Sequence, residues 1–171
     1  MSRKIFDFVD KLLSNSHKPM TLKVIEKLFI QGIPFNKPHG FKFKKLDQEE
    51  CIIFLPYKRL NKNHLNTMHA CAIATLGEFP AGLVLTKNLG SSKYRYVMTE
   101  LKATYNKHAN TDLRGVSQLP QKKFNTLMNE LEAKGIGKII LITDILNTAD
   151  EKVAVVQTEW QVKDWNKVKQ K

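Results

Sequence analysis

The chain has 171 residues, of which 42% are hydrophobic and 26% are charged, a composition typical of one globular domain and not of a disordered chain. Lys and Arg outnumber Asp and Glu by 28 to 16, which gives a formal net charge of +12. No apolar run approaches the roughly 18 to 20 residues of a membrane span, and Asp7 and Asp10 interrupt the apolar N-terminal pattern, unlike a signal peptide. We therefore expect a cytoplasmic protein without a membrane span.

The first 32 residues predict two helices that form an N-terminal extension. Residues 3–15 carry apolar side chains at helical spacing. A second helix begins at Pro19, a residue favoured in the first helical turn, and Gly32 stands where a C-terminal cap belongs. The proline- and glycine-containing segment 33–40 predicts turns. We expect one domain to follow over residues 33–171.

From residue 41 the apolar pattern changes to the alternation of strands. Phe41 and Phe43 alternate with lysines, and a polar turn at 47–50 precedes the apolar run 51–55, so a hairpin is predicted here. Residues 67–79 are apolar on nearly all sides, a pattern typical of a helix that is buried around its circumference. A sheet must therefore surround this helix.

The rest of the chain predicts one further helix and several strands. Partial alternation predicts strands at 83–88, 94–105, 112–118, 136–146 and 152–162, and a one-sided apolar pattern predicts a helix at 120–134. Two N-terminal helices, a hairpin, one buried helix and then successive strands favour an α+β fold with an antiparallel sheet.

The sequence offers no ligand set for a metal ion. Its two cysteines, Cys51 and Cys71, and its five dispersed histidines show no zinc-binding spacing. We expect both cysteines to be buried thiols.

Glu78 is the first candidate for chemistry, because it lies between an apolar helical segment and the apolar residues 79–82. A carboxyl group that is poorly hydrated has a raised pKa and can act as a general base or nucleophile near neutral pH. The alternative is a helix end at which Glu78 reaches solvent and has no role.

The segment before the buried helix, residues 63–69, offers Asn66 or Thr67 as an N-cap. The unpaired N–H groups and the positive dipole end of a helix N-terminus suit the stabilisation of an oxyanion or a polarised carbonyl. Taken alone, this segment is more simply explained by capping.

Three polar residues give the chain a recognisable signature. Asn63, His69 and Glu78 are spaced by six and nine residues, with a helix of small and apolar residues, 70–77, between the last two. This arrangement resembles the central-helix signature of hotdog-fold acyl-CoA thioesterases of the phenylacetic-acid-degradation type.

A second resemblance covers a longer part of the chain. The passages 34–40 and 63–64, followed by Glu78 and by Ala81-Gly82, are similar to an uncharacterised thioesterase-like family of the hotdog superfamily. These motifs occur in order over residues 33–82, and the later strand pattern agrees with that fold.

The resemblance implies a hotdog fold, in which a curved antiparallel sheet wraps one long central helix, and a homodimer or dimer of dimers with sites between subunits. The implied ligand is an acyl-CoA or a related thioester, with no cofactor. Glu78 would activate water or attack the thioester, Asn63 would orient the nucleophile or substrate, and the backbone N–H groups of Ala70 and Cys71 would polarise the carbonyl. His69 would be a general base or, preferably, the start of the helix.

Two alternatives to hydrolysis by Glu78 arise from the start of the central helix. Ala70 and Cys71 replace glycines that are usual in active relatives, which suggests a non-catalytic module that binds acyl groups or acyl-CoA. Cys71 itself is a second candidate nucleophile, because a helix N-terminus lowers the pKa of a thiol, although a small packing residue is the favoured interpretation.

The positive charge suggests a phosphate-bearing ligand. Lys87, Lys93 and Arg95 follow the central helix and are candidates to meet the phosphates of CoA. Binding of nucleic acid or of an anionic surface ranks last, because lysines spread along the chain supply most of the charge and arginines, which read bases, are few.

Overall fold

A computed structural model of the protein describes residues 3–167. It contains four α-helices, α1 (Arg3–Ser14), α2 (Pro19–Gly32), α3 (Ala70–Leu89) and α4 (Gln121–Lys134), and six strands, β1 (Lys42–Leu46), β2 (Glu50–Leu55), β3 (Tyr94–Tyr105), β4 (Leu113–Gln118), β5 (Ile136–Leu146) and β6 (Lys152–Asp164). The strands form one sheet in the order β1-β2-β4-β5-β6-β3, and all neighbours are antiparallel. The predicted α+β arrangement is confirmed. None of the helices in the described residues is long and apolar enough to cross a membrane.

The sheet wraps α3 because both elements present apolar side chains to each other. On β5 the buried residues alternate with exposed ones, so that Ile139, Leu141 and Ile145 face inward. Leu76 and Val84 of α3 are completely buried, and α3 contacts β2, β4, β5 and β6. The core of the molecule is therefore the space between the inner face of the sheet and this helix.

The strand predicted at residues 83–88 is wrong, because these residues form the last turns of α3. A short, continuous apolar run cannot be distinguished from a buried strand by its periodicity, and Pro80 suggests a helix end. In the structure Pro80 lies inside α3. Pro80 has no N–H and therefore donates no hydrogen bond to the carbonyl of Leu76, four residues earlier. The next carbonyl along the helix, that of Gly77, accepts a hydrogen bond of 2.7 Å from the Thr143 hydroxyl.

Replacing Thr143 with valine should lower the free energy of unfolding by about 1 to 2 kcal/mol, because it removes a buried hydrogen bond without changing side-chain size. Thr143 is fully buried. Urea denaturation measures the effect, with Thr126→Val on the exposed face of α4 as the control. Equal stabilities of the two variants would contradict the role given to Thr143.

The N-terminal helices are fastened to the rest of the molecule by buried and polar contacts. On α1, Leu13 is buried, and the carboxylate of Asp10 accepts hydrogen bonds from the backbone and hydroxyl groups of Ser91 and Ser92. On α2, Ile25 is fully buried, and Glu26 accepts a hydrogen bond of 2.7 Å from the Phe43 N–H of β1. The positions of both helices are therefore set by α3 and the sheet.

Candidate active site

Glu78 lies on a stripe of α3 that the sheet leaves uncovered. Cys71, Ala74, Glu78 and Gly82 recur at intervals of three or four residues, which places them on one side of the helix. Cys71 is exposed and the other three are half-buried, whereas most of the remaining positions of α3 are buried. We call these four residues the open stripe.

The carboxyl group of Glu78 is poorly solvated and unpaired. Burial raises its pKa above the usual value of a glutamate. No hydrogen bond and no ion pair among residues 3–167 reaches its carboxylate, so nothing offsets this desolvation. The predicted environment of Glu78 is therefore present: a carboxylate without a partner among the described residues, in a stretch of α3 that is mostly apolar.

The edge strand β3 runs alongside α3. At one end of β3, the Tyr105 hydroxyl donates to the Ala70 carbonyl at 3.0 Å. Near the other end, Tyr96 packs against the hydrophobic core, and α3 and β3 are in contact. β3 is an outer strand of the sheet, and Val97 is 47% exposed on it. An unpaired strand edge therefore lies beside α3.

His69, and not Asn66 or Thr67, is the N-cap of α3. Its imidazole Nδ1 accepts a hydrogen bond of 3.1 Å from the Cys71 N–H. The predicted caps fail because the chain reaches α3 in an extended conformation, in which the Met68 N–H donates to the carbonyl of Ala109. The structure thus gives His69 the helix-start role.

The two candidate oxyanion amides differ in availability. The Cys71 N–H is bonded to His69, whereas the Ala70 N–H makes no hydrogen bond within the described part of the chain. The expectation that both cysteines are buried is wrong for Cys71, which is exposed because it lies on the side of α3 that the sheet leaves uncovered. Cys51 is buried, and burial raises the pKa of its thiol.

Asn63 organises the loop before α3. Its Oδ1 accepts hydrogen bonds from the N–H groups of Leu65 and Thr67, at 2.9 and 3.1 Å, and its Nδ2 donates to the Thr67 hydroxyl at 2.9 Å. No hydrogen bond among the described residues joins Asn63 or His69 to Glu78. Nine residues of helix separate His69 from Glu78, a rise of about 13 Å. One chain alone does not bring the three signature residues together.

A pair of residues that the sequence analysis did not single out positions His69. Asn61 is fully buried; its Nδ2 donates to the carbonyls of His39 and Pro56, both at 2.9 Å, and its Oδ1 lies 3.1 Å from the His39 ring. Its own carbonyl accepts the N–H of His69 at 2.7 Å. The segment 34–40 thus supports the start of α3, a tertiary contact that no local pattern in the sequence indicates.

The three basic candidates lie at the opposite end of α3 from His69. Lys87 is half-buried, and its ammonium donates to the Leu13 carbonyl at 2.7 Å, so it holds α1 and is not a free surface cation. Burial lowers the pKa of Lys87. Lys93 and Arg95 are exposed, and the Lys93 ammonium lies 5.0 Å from the centroid of the Tyr94 ring.

A known protein family matches most of the sequence. Residues 22–162 match the family described as "Domain of unknown function (DUF4442)". No curated protein matches the sequence.

Several solved structures share the fold. A probable thioesterase from Pseudomonas aeruginosa superposes with a TM-score of 0.75 at 23% identity, covering 80% of this chain and 91% of its own. A mutant thioesterase from the same organism superposes with a TM-score of 0.66 at 14% identity, covering 81% of this chain and 93% of its own. A thioesterase from Staphylococcus aureus superposes with a TM-score of 0.64 at 14% identity, covering 77% of this chain and 99% of its own. These likenesses confirm the predicted hotdog fold of thioesterase-like proteins.

The S. aureus protein was crystallised as two single-residue variants. One has alanine in place of a glutamine, and the other has alanine in place of a glutamate that follows this glutamine by fifteen residues.

Proposed function

We propose that this chain, which belongs to the DUF4442 family, is a thioesterase that hydrolyses acyl-CoA and uses Glu78 as its general base or nucleophile. The observation that carries the proposal is the desolvated, unpaired carboxylate of Glu78 on the open stripe of α3. A carboxylate held in this way has a raised pKa and is a stronger base than one in water.

The spacing of polar residues supports the same assignment. Asn63 precedes Glu78 by fifteen residues, the separation between the glutamine and the glutamate replaced in the S. aureus thioesterase. An asparagine and a glutamine carry the same amide group. The pair chosen for replacement in that protein therefore has a chemically similar pair here.

The proposed reaction follows from the chemistry of a carboxylate and a thioester. Glu78 takes a proton from water as the water oxygen bonds to the carbonyl carbon. The tetrahedral intermediate then loses its C–S bond, and the proton passes from Glu78 to the leaving sulfur, which gives a carboxylic acid and the CoA thiol. If Glu78 attacks directly, the C–S bond breaks, the CoA thiolate leaves and a mixed anhydride forms. Water then cleaves the anhydride, which restores the Glu78 carboxylate, releases the carboxylic acid and supplies the proton that converts the thiolate to the CoA thiol.

The oxyanion of that intermediate would be stabilised by the N-terminus of α3. The Ala70 N–H is the free donor, and the Cys71 N–H would join it only if its bond to His69 opened. Ala70 and Glu78 stand eight residues apart on one helix, about 12 Å along its axis. One carbonyl cannot contact both in a single protomer, so the proposed site combines Glu78 of one protomer with the helix N-terminus and Asn63 loop of its partner.

A homodimer whose protomers pair along their β3 strands would supply such a site. Val97 is an exposed apolar residue of this edge strand, so a substitution there tests this pairing. Val97→Lys places a charge on the edge and should convert a dimer to a monomer with loss of hydrolysis. Light scattering measures the mass and a thiol assay the activity. Ile142→Lys, an exposed apolar position on the inner strand β5, is the control. A dimeric, active Val97→Lys protein would contradict this mode of pairing.

Lys93 and Arg95 are the proposed contacts for the CoA phosphates. Both are exposed at the start of β3, and only four residues separate the end of α3 from this strand. Lys87 is excluded, because its ammonium is bonded to α1.

The proposal is tested with the purified full chain and a panel of short-, medium- and long-chain and aryl acyl-CoAs, with a thiol reagent to follow CoA release. We expect turnover of at least one substrate, and its loss in Glu78→Gln. The matched control is Glu132→Gln on the exposed side of α4. A panel on which wild type does not exceed Glu78→Gln would reject the enzymatic function. Calorimetric binding of an acyl-CoA without turnover would then favour the non-catalytic module.

Replacing Cys71 with serine separates the two candidate nucleophiles. Because Cys71 is exposed on the first turn of α3, the change should alter stability by less than about 0.5 kcal/mol. If Glu78 carries the reaction, hydrolysis should stay within about twofold of wild type. A loss on the scale of a removed nucleophile, about a hundredfold or more, would transfer the catalytic role to Cys71.

A further inference from the structure

An apolar row lies on the outer side of α2. Met20, Val24 and Leu28 stand four residues apart and are 82%, 49% and 36% exposed. This spacing places them on one side of the helix, whereas the side bearing Ile25 is buried against the core. Nothing among the described residues covers the row.

A basic groove lies next to this row. It has a volume of about 500 Å³, lies between α2 and β1, and is lined by Lys23 and Lys27 of α2 and by Lys42 and Lys44 of β1. The Lys44 ammonium lies 5.4 Å from the centroid of the Phe54 ring on β2. None of these lysines takes part in the ion pairs of the described residues. The one carboxylate in the groove, Glu26, accepts the Phe43 N–H, so the groove carries a clear excess of positive charge.

The row and the groove form one continuous surface. Lys23 and Lys27 line the groove, and each lies three residues after a residue of the row, Met20 or Val24, and therefore beside it on the helix surface. This surface is also fixed in place, because Ile25 on the opposite side of α2 is buried in the core.

A partner must satisfy both halves of this surface. A soluble phosphate would use the lysines but would leave the apolar row in water, and a purely apolar partner would gain nothing from the four lysines. A lipid surface with anionic headgroups offers acyl chains beside phosphates, which is the combination that basic amphipathic helices bind.

We propose that α2 docks the protein on the surface of membranes that contain anionic phospholipids. Met20, Val24 and Leu28 enter the boundary between headgroups and acyl chains, and Lys23, Lys27, Lys42 and Lys44 contact headgroup phosphates. This inference does not depend on the proposed thioesterase function, since neither the apolar row nor the basic groove includes a residue of the candidate active site.

The test is co-sedimentation of the full chain with vesicles of phosphatidylcholine alone and of phosphatidylcholine with phosphatidylglycerol. We expect binding only to the second kind, falling with ionic strength. Absence of binding at low ionic strength overturns the proposal. So does equal binding to both kinds of vesicle.

Two sets of variants separate docking by α2 from attraction by the overall charge. Lys42→Gln with Lys44→Gln should weaken binding about tenfold or more, since each lysine near an anionic surface contributes about 1 kcal/mol. The control, Lys122→Gln with Lys134→Gln on α4, removes the same charge from exposed positions and should have a clearly smaller effect. Equal losses in the two double variants overturn the proposal.

Met20→Ser, Val24→Ser and Leu28→Ser, combined in one protein, test the apolar row. We expect binding to fall about tenfold or more at unchanged charge; unchanged binding overturns the proposal. The mass of this variant is measured by light scattering without vesicles. A mass lower than that of wild type would show that the row joins copies of the chain and would overturn membrane docking.

Discussion

Glu78→Gln is expected to remove acyl-CoA hydrolysis and, at the same time, to leave the protein at least as stable as wild type at neutral pH. The loss of activity should be about 10²- to 10⁴-fold, the usual contribution of a general base. Stability should not fall, because a neutral amide replaces a carboxylate whose ionisation is opposed by burial and that has no hydrogen-bond or ionic partner among the described residues.

The dependence of stability on pH has a definite sign. Burial raises the pKa of Glu78 in the folded chain above its unfolded value. Between these two pKa values the folded chain holds the proton that the unfolded chain has lost, so wild-type stability falls as pH rises through this interval. Glu78→Gln lacks this contribution. The difference in unfolding free energy between variant and wild type should therefore grow from acidic pH and level off above the folded pKa.

Denaturant unfolding at several pH values, together with the thiol assay, measures both effects. The rate of wild-type hydrolysis should rise with pH through the raised pKa of Glu78, because only the ionised carboxylate is a base. Glu132→Gln on α4 should change neither profile. A Glu78→Gln protein that is less stable than wild type at neutral pH would show that the carboxylate has a stabilising partner, contrary to its role as an unpaired base.

The sequence predicts a strand correctly where one face of that strand is buried. The strand predicted at 94–105 matches β3, and that predicted at 136–146 matches β5, because alternation in the sequence reflects alternation in burial. The C-terminal end of α3 is not predicted from the sequence, for the opposite reason. A helix buried on most sides has no polar face to mark its periodicity, and Pro80 looks like a helix end although α3 continues through it.

The candidate site was predictable only in part. The environment of Glu78 follows from its apolar neighbours in sequence, which also line the core. The N-cap was not predictable, because His69 is placed by the buried side chain and the carbonyl of Asn61, and contacts between distant segments leave no local pattern. The exposure of Cys71 likewise depends on where the sheet stops covering α3.

Gly77→Ala should be the most destabilising single-methyl change near the site. A Cβ at Gly77 would lie 2.2 Å from the Cβ of Val156 and 2.3 and 2.5 Å from its two methyl carbons. Val156 is fully buried on β6, so α3 and β6 would have to move apart. In an unconstrained helix, alanine is favoured over glycine by about 1 kcal/mol. Overpacking costs about 1 to 3 kcal/mol and more when backbone must shift, so we expect a net loss of about 2 kcal/mol.

The matched control is Gly32→Ala at the end of α2, where a Cβ would have no atom within 4 Å, and which should be neutral or slightly stabilising. Combining Gly77→Ala with Val156→Gly should cost less than the sum of the single changes, because the Cβ and both methyl groups of Val156, which clash with the new Cβ, are then absent. Urea denaturation of the four proteins measures this coupling. Additive losses would mean that Val156 does not limit the approach of β6 to α3. Since Gly77 precedes Glu78, that close approach also fixes the turn from which the carboxylate projects, and Gly77→Ala should therefore lower hydrolysis even where the protein remains folded.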